Sequence, residues 1–277
     1  MTSPLRLYTR VARSALRRCP DDAGLPLASV SSAVVRVDRD HLADYARLCG
    51  FRISDALPAT YPHVLAFPLA MDLMTGRAFP FSVMGLVHVE QHIIMHQPLK
   101  VTDRFVLEVH AADLRPHPRS QQFDIVTAVR LDGTEVWTGR STYLRRSGAR
   151  VRGTSHRAGV EEPFRHEVSA VWRLPADLGR RYAAVSGDRN PIHLRPLTAR
   201  PFGYRRPIAH GMWAVASCLA GLAGRMPATS TIHAGFRRPI LLPARTSYGL
   251  SQDARGWAFE LRNFDDGTPH LLGRVEL

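Results

Sequence analysis

The run Tyr182-Ala-Ala-Val-Ser-Gly-Asp-Arg-Asn-Pro-Ile-His193 sets an aspartate, an asparagine and a histidine close together, and His210-Gly211-Met212 follows seventeen residues after His193. Pro191 fixes one backbone dihedral and disfavours helix at Asn190, so the chain should turn there. Such a turn can aim Asp188 and His193 into one small volume. Histidine exchanges protons near neutral pH and a carboxylate can orient or assist it, so the chemistry open to the pair is acid–base work on a bound molecule. Taken singly, each residue has a plainer role. Asp188 could cap a helix, Asn190 form a turn before proline, His193 sit hydrogen-bonded at the surface, and Gly211 serve packing.

The elements that must hold these residues repeat along the chain. Asp40 to Gly50 contains Tyr45-Ala46 and ends at glycine, as Asp177 to Gly187 contains Tyr182-Ala183 and ends at glycine, an offset of 137 residues. Small or apolar helices are predicted next, over Pro68 to Gly76 and Gly211 to Gly224. Strand-like segments then lead to Pro98-Leu99 and to Pro239-Ile240, an offset of 141. Two similar offsets argue for a degenerate internal duplication. Arg104 to Ala111, Gln122 to Arg130 and Thr134 to Arg145 alternate apolar and polar residues, as do Thr246 to Gln252, Trp257 to Asn263 and His270 to Leu277, so each half reads as a helix followed by an antiparallel meander. The predicted architecture is α+β, with sheets curling around a central helix in each half. The divisions are a basic segment at 1–29, a first half at 30–144, a linker at 145–165 and a second half at 166–277.

Composition narrows the function. The chain has 277 residues, 45% of them hydrophobic, enough for a substantial core. No apolar run reaches the roughly 20 residues that span a bilayer. Three cysteines, Cys19, Cys49 and Cys218, are far apart and read as reduced cytoplasmic thiols. The net charge of +13 invites a nucleic-acid reading. However, Lys100 is the sole lysine, and the arginines are dispersed without interleaved aromatics, so a solvated basic surface is the default and no nucleic-acid partner is expected. A positive field does suit a substrate carrying phosphates. His88, His92 and His96 have spacings of four, but strand alternation would set them along one face without acidic or thiolate partners, so no metal is expected. Arg6, Arg10, Arg13, Arg17 and Arg18 give the N-terminal segment a basic amphipathic pattern, read as a peripheral helix or frayed end.

The pattern Tyr-Ala-x-x-Ser-Gly-Asp-x-Asn-Pro-Ile-His, with Phe-Gly-x-x-x-x-Ile-Ala-His-Gly-Met after it, resembles the MaoC-like (R)-specific enoyl-thioester hydratases and 3-hydroxyacyl-thioester dehydratases of the double hot-dog type. The resemblance extends upstream through Thr60-Tyr-Pro-His, Phe79-Pro-Phe and Gly85-Leu-Val-His-Val-Glu. It implies a double hot-dog fold and a hydro-lyase that needs no cofactor and acts on acyl-CoA or acyl-carrier-protein thioesters. It also implies that Asp188 and His193 are catalytic, that Asn190 supports them, and that the Gly211 N–H forms an oxyanion hole. At the start of a helix that N–H is unpaired and favoured by the dipole. The first half has Gly50-Phe51-Arg52 where the second has Gly187-Asp188-Arg189, which implies that it has lost catalysis and shapes the acyl tunnel instead. Phe79, Phe81 and Met84 are candidate tunnel residues. Arg237 and Arg238, adjacent on one strand and so on opposite faces, are candidates for a thioester's phosphate. The competing readings are a non-catalytic acyl-thioester-binding protein and a thioesterase. The covalently joined halves could already form the unit that single hot-dog chains build as dimers, which leaves a homodimer of full chains open.

Overall fold

The computed structural model describes residues 24–118, 120–146, 167–222 and 224–277; the N-terminal basic pattern and nearly all of the 145–165 linker lie outside them. In the first half come β1 (Val30–Ser31), β2 (Val35–Arg36), α1 (Arg39–Cys49), α2 (Tyr61–Thr75), β3 (Leu86–Met95), β4 (Arg104–His117), β5 (Ser120–Leu131) and β6 (Thr134–Arg146). In the second come β7 (Val168–Leu174), α3 (Leu178–Ser186), a 3₁₀ turn (Pro191–His193), a one-turn α4 (Pro196–Ala199), α5 (Gly211–Ala220), β8 (Ser230–Phe236), β9 (Ala244–Asp253), β10 (Gly256–Asn263) and β11 (Pro269–Glu276).

All the strands join one antiparallel sheet in the order β1-β4-β5-β6-β3-β8-β11-β10-β9-β7, with β2 pairing to β4. The halves meet where β3 pairs with β8, and that seam is self-symmetric: His92 pairs with His233, the two residues being 141 apart, and their rings stack at 4.2 Å. The second offset has its own contact, because Tyr45 and Tyr182, 137 apart, pack at 6.4 Å. Both helices at that contact end on a left-handed glycine, Gly50 at φ 87° and Gly187 at φ 74°, a conformation that costs glycine no steric strain. Across them, His41 Nε2 donates to the Val185 carbonyl at 2.7 Å and Trp213 Nε1 to that of Leu48 at 3.4 Å.

Helix α5 is buried from Met212 to Ala220, as a helix apolar on every side must be. It is shorter than predicted, ending at Ala220. Helix α2 is longer, starting at Tyr61 with Pro62 in its first turn, where no backbone donor is lost, and carrying Pro68 inside. One apolar core includes Phe105, Phe123 and Trp137 from the first half and Leu219, Phe259 and Val275 from the second. This is the double hot-dog α+β arrangement.

Two details depart from the sequence reading. Strand β3 is irregular between His88 and Glu90, where Tyr143 pairs with His88 and Thr142 with Glu90, leaving Val89 as an extra residue. Beyond it, Gln91 and Ile93 are buried while His92 faces the half-exposed seam. His88 and His92 therefore do not share a face. Strand β8 stops at Phe236, so Arg237 and Arg238 lie past its end and do not alternate across a sheet.

Candidate active site

Helix α3, the turn after it and the N-terminus of α5 bring the signature residues together. The Asp188 N–H donates to Ser186 Oγ at 3.2 Å, Asp188 Oδ1 accepts from the Asn190 N–H at 3.1 Å, and Asn190 Oδ1 accepts from the Ile192 N–H at 3.3 Å. These are successive side-chain turns of the kind Asp and Asn favour. Pro191 then opens a 3₁₀ turn, closed by the His193 N–H to the Asn190 carbonyl at 3.0 Å. Asn190 thus holds the turn that carries His193. Helix α3 lies hard against that turn: a Cβ on Gly179 would come within 2.0 Å of the His193 carbonyl oxygen.

His193 is 8% exposed, and its Nδ1 lies 2.8 Å from the Ile208 carbonyl. A carbonyl only accepts, so Nδ1 carries the proton and Nε2 keeps its lone pair. Burial pushes the imidazole pKa down, with Asp188 and the Ile208 carbonyl opposing. The ring is therefore a neutral base. Asp188 is more open, its side chain 28% exposed.

His210, quoted above only as part of a motif, is the third member of the group. Its ring stacks on His193 at 3.6 Å, and its Nε2 donates to the Asp188 carbonyl oxygen at 2.9 Å. Burial, followed by the neighbouring His193, lowers its pKa well below the ordinary histidine value, so its 3.8 Å approach to Asp188 Oδ2 is not an ion pair. Among the described residues, Asp188, His193 and His210 are also the cluster that could hold a metal ion, with ligand atoms within 4.8 Å of one another. One nitrogen of each imidazole is already tied to a backbone carbonyl, which fixes its tautomer.

Gly211 opens α5 immediately after His210, with no side chain capping the helix. A Cβ there would meet the Phe236 ring at 2.7 Å, so only glycine lets the first turn lie against it.

These residues line a cavity of about 650 Å³ that also takes in Tyr182, Met212, Phe236, Arg237 and Arg238 from the second half. Its other wall comes from the first half, with His63, Phe67, Leu86, His88, Val89 and Tyr143. Asp188, Asn190, His193, Gly211, Arg237 and Arg238 thus share one cavity. Phe79, Phe81 and Met84 are not among its lining. Phe79 and Phe81 are each 1% exposed and pack with Phe123 in an aromatic core cluster, while Met84 packs against the core. The first half does supply a wall, through different side chains. His63 and His88 lay inside the quoted segments Thr60-Tyr-Pro-His and Gly85-Leu-Val-His, and nothing in their type or spacing marked them as facing the site. At the position matching Asp188 the first half has Phe51, stacked on Tyr45 at 6.2 Å.

The MaoC like domain profile matches residues 157–251. The 3-hydroxyacyl-thioester dehydratase X of Mycobacterium tuberculosis is 37% identical over 277 residues, 99% of each chain. The (R)-specific enoyl-CoA hydratase of Aeromonas caviae is 41% identical over 63 residues, covering 22% of this chain and 46% of that one. The crystal structure of HtdX of Mycobacterium tuberculosis superposes with a TM-score of 0.80 at 36% identity, covering 90% of this chain and all of that one. Sequence and fold agree, and the chain belongs to the MaoC-like hydratase and dehydratase family.

Proposed function

We propose that this protein interconverts trans-2-enoyl and (R)-3-hydroxyacyl thioesters by reversible addition of water. The observation that carries the reading is the neutral His193, its Nε2 lone pair free beside the Asp188 carboxylate, in one cavity with the open N-terminus of α5. Water held by Asp188 gives a proton to His193 Nε2 as its oxygen bonds to C3. The electron pair of the C2–C3 double bond moves toward the thioester carbonyl, whose oxygen accepts from the Gly211 N–H. The Asp188–His193 pair then returns one proton to C2, so its own protonation is unchanged. A placed acid–base group contributes about 10²- to 10⁴-fold, and one oxyanion donor roughly 10² to 10³.

The carrier is coenzyme A or acyl carrier protein. A recess of about 510 Å³ lined by Arg173, Arg206 and Arg245 shares Pro239, Ile240, Leu241, Asn263 and His270 with the main cavity, which supports a phosphate-bearing carrier at the mouth. The division of labour follows the proposed domains, with 166–277 catalytic and 30–144 shaping the pocket. A cytoplasmic setting is supported by Cys49 and Cys218, both buried free thiols. Among the described residues no helix is long and apolar enough to cross a membrane.

The test follows the enoyl-thioester absorbance on adding purified protein. Wild type should bleach it, and Asp188→Asn and His193→Gln should each slow the reaction by about 10²- to 10⁴-fold. No reaction in wild type, or unchanged rates in both variants, would reject the assignment. Tight thioester binding without turnover would favour the non-catalytic alternative, and release of free thiol would indicate a thioesterase.

A further inference from the structure

The first half has no counterpart of Asp188, yet it turns three polar rings toward the same cavity: His63 on α2, His88 on β3 and Tyr143 on β6. They form a row. The His63 and His88 rings stack at 6.1 Å, His88 and Tyr143 at 4.9 Å, and His88 meets Phe236 edge-on at 4.9 Å. Phe236 is the ring against which Gly211 packs, so the row begins one aromatic ring from the oxyanion donor. The irregularity at Val89 is what turns His88 inward. A bulge disrupts the ladder, and such bulges are over-represented where a side chain is re-aimed next to a site.

Most other buried polar rings here have a partner. The Tyr45 hydroxyl bonds Thr60, that of Tyr61 bonds His41, that of Tyr248 bonds the Cys218 carbonyl, and Trp137 Nε1 donates to the Ala59 carbonyl. In the row, His88 Nε2 is buried with no partner. His63 and Tyr143 take part in ring stacking and face the cavity with no hydrogen bond to a described residue. A saturated acyl chain along this wall would strip water from His63 and Tyr143 and return no hydrogen bond, at a cost on the order of tenfold in affinity per group.

We propose that the wall formed by His63, His88 and Tyr143 selects acyl chains bearing a neutral hydrogen-bonding oxygen, a hydroxyl or a ketone, beyond the reacting carbons. The proposal rests on the hydratase reading given above. Burial holds His63 down to about 4 against the pull of Asp188, and holds His88 down to about 3. Both are neutral near pH 7; His63 then offers one donor and one acceptor, which suits an uncharged oxygen and not a second carboxylate, while His88, already bonded to Glu90 and Gln91, backs the row.

Hydration of trans-2-hexenoyl-CoA is to be compared with that of its 5-hydroxy and 6-hydroxy counterparts in wild type, His63→Phe and Tyr143→Phe. Wild type should favour at least one hydroxylated chain by roughly tenfold or more in kcat/KM, and both variants should bring that ratio close to unity. Loss of activity on all three substrates alike in the variants, with the ratio kept, would mean a structural role and overturns the proposal. So does a wild type that handles the plain chain as well as both hydroxylated ones, whether or not the variants fold. In that case the hydratase reading stands; hydration of none of the three removes both.

Discussion

His193 can take a proton only while its Nε2 lone pair is free, and two opposed influences set the pH at which that holds. Burial favours the neutral ring, while the Asp188 charge and the Ile208 carbonyl favour the cation, and burial wins. The sign follows: the folded pKa lies below 6.5, so the neutral base persists at pH values where a free histidine would be protonated. The acid limb of kcat/KM should therefore fall below pH 6.5, and should move further down in the residual activity of Asp188→Asn, which loses the charge that holds the proton on. An acid limb that moves upward in that variant would mean that Asp188 does not act on His193 in this way. Asn190 shows how position and role can separate. Its Oδ1 is occupied by the Ile192 N–H, so it serves the pair by fixing the turn. His210 is the converse: stacked on the base and bonded to the Asp188 backbone, it belongs to the site's geometry, although beforehand it was only a letter in His-Gly-Met.

At the scale of elements, the site exists because α3 and the 191–193 turn can touch. With a Cβ at residue 179 falling within 2.0 Å of the His193 carbonyl, Gly179→Ala must push the helix off the turn. Overpacking of this kind costs about 1–3 kcal/mol. Because the displaced carbonyl belongs to the proposed base, kcat should fall as well, and urea melts paired with kcat would separate the two effects. A variant that loses stability with kcat intact would show that the turn moves with the helix as a rigid piece. The elements legible in the sequence were those with strong local signals, the alternating meanders β4–β6 and β9–β11 and the two glycine-ended helices. Helices α2 and α5 and strands β3 and β8 were legible in outline, but not in their limits or register. Val89 turns His88 away from His92 through one extra residue in an otherwise regular strand, and no residue type announces it. Phe79-Pro-Phe matches the family pattern in sequence, but whether a phenylalanine lines a cavity or fills a core depends on the Phe123 ring from a distant strand. Strand β7, next to the linker, owes its place to pairing with β9, and its exposed Val168 and Val171 weaken any core-facing alternation.

Across the whole molecule, the duplication raises the question of whether the halves unfold separately. The seam argues against it. β3 and β8 pair from Glu90–Gly235 to Met95–Ser230, Ile93 lies opposite Ile232 with both fully buried, and α5 of the second half donates to the end of α1 through Trp213. A half standing alone would expose a long inner edge strand and the face that covers it, both aggregation-prone and costly. Folding should therefore be a single cooperative event despite the tandem plan. Variants keeping only Trp137, in the first half, or only Trp257, in the second, with the remaining tryptophans changed to phenylalanine, report each half by fluorescence. Their urea midpoints should coincide. Adding Ile232→Ala to each should lower stability by about 2–5 kcal/mol and shift both curves together, because the lost packing lies on the shared seam. Separate midpoints, or a shift confined to the Trp257 curve, would mean that the halves are stable on their own. In that event the first half's wall of the active-site cavity could come apart while the half bearing Asp188 and His193 stayed folded.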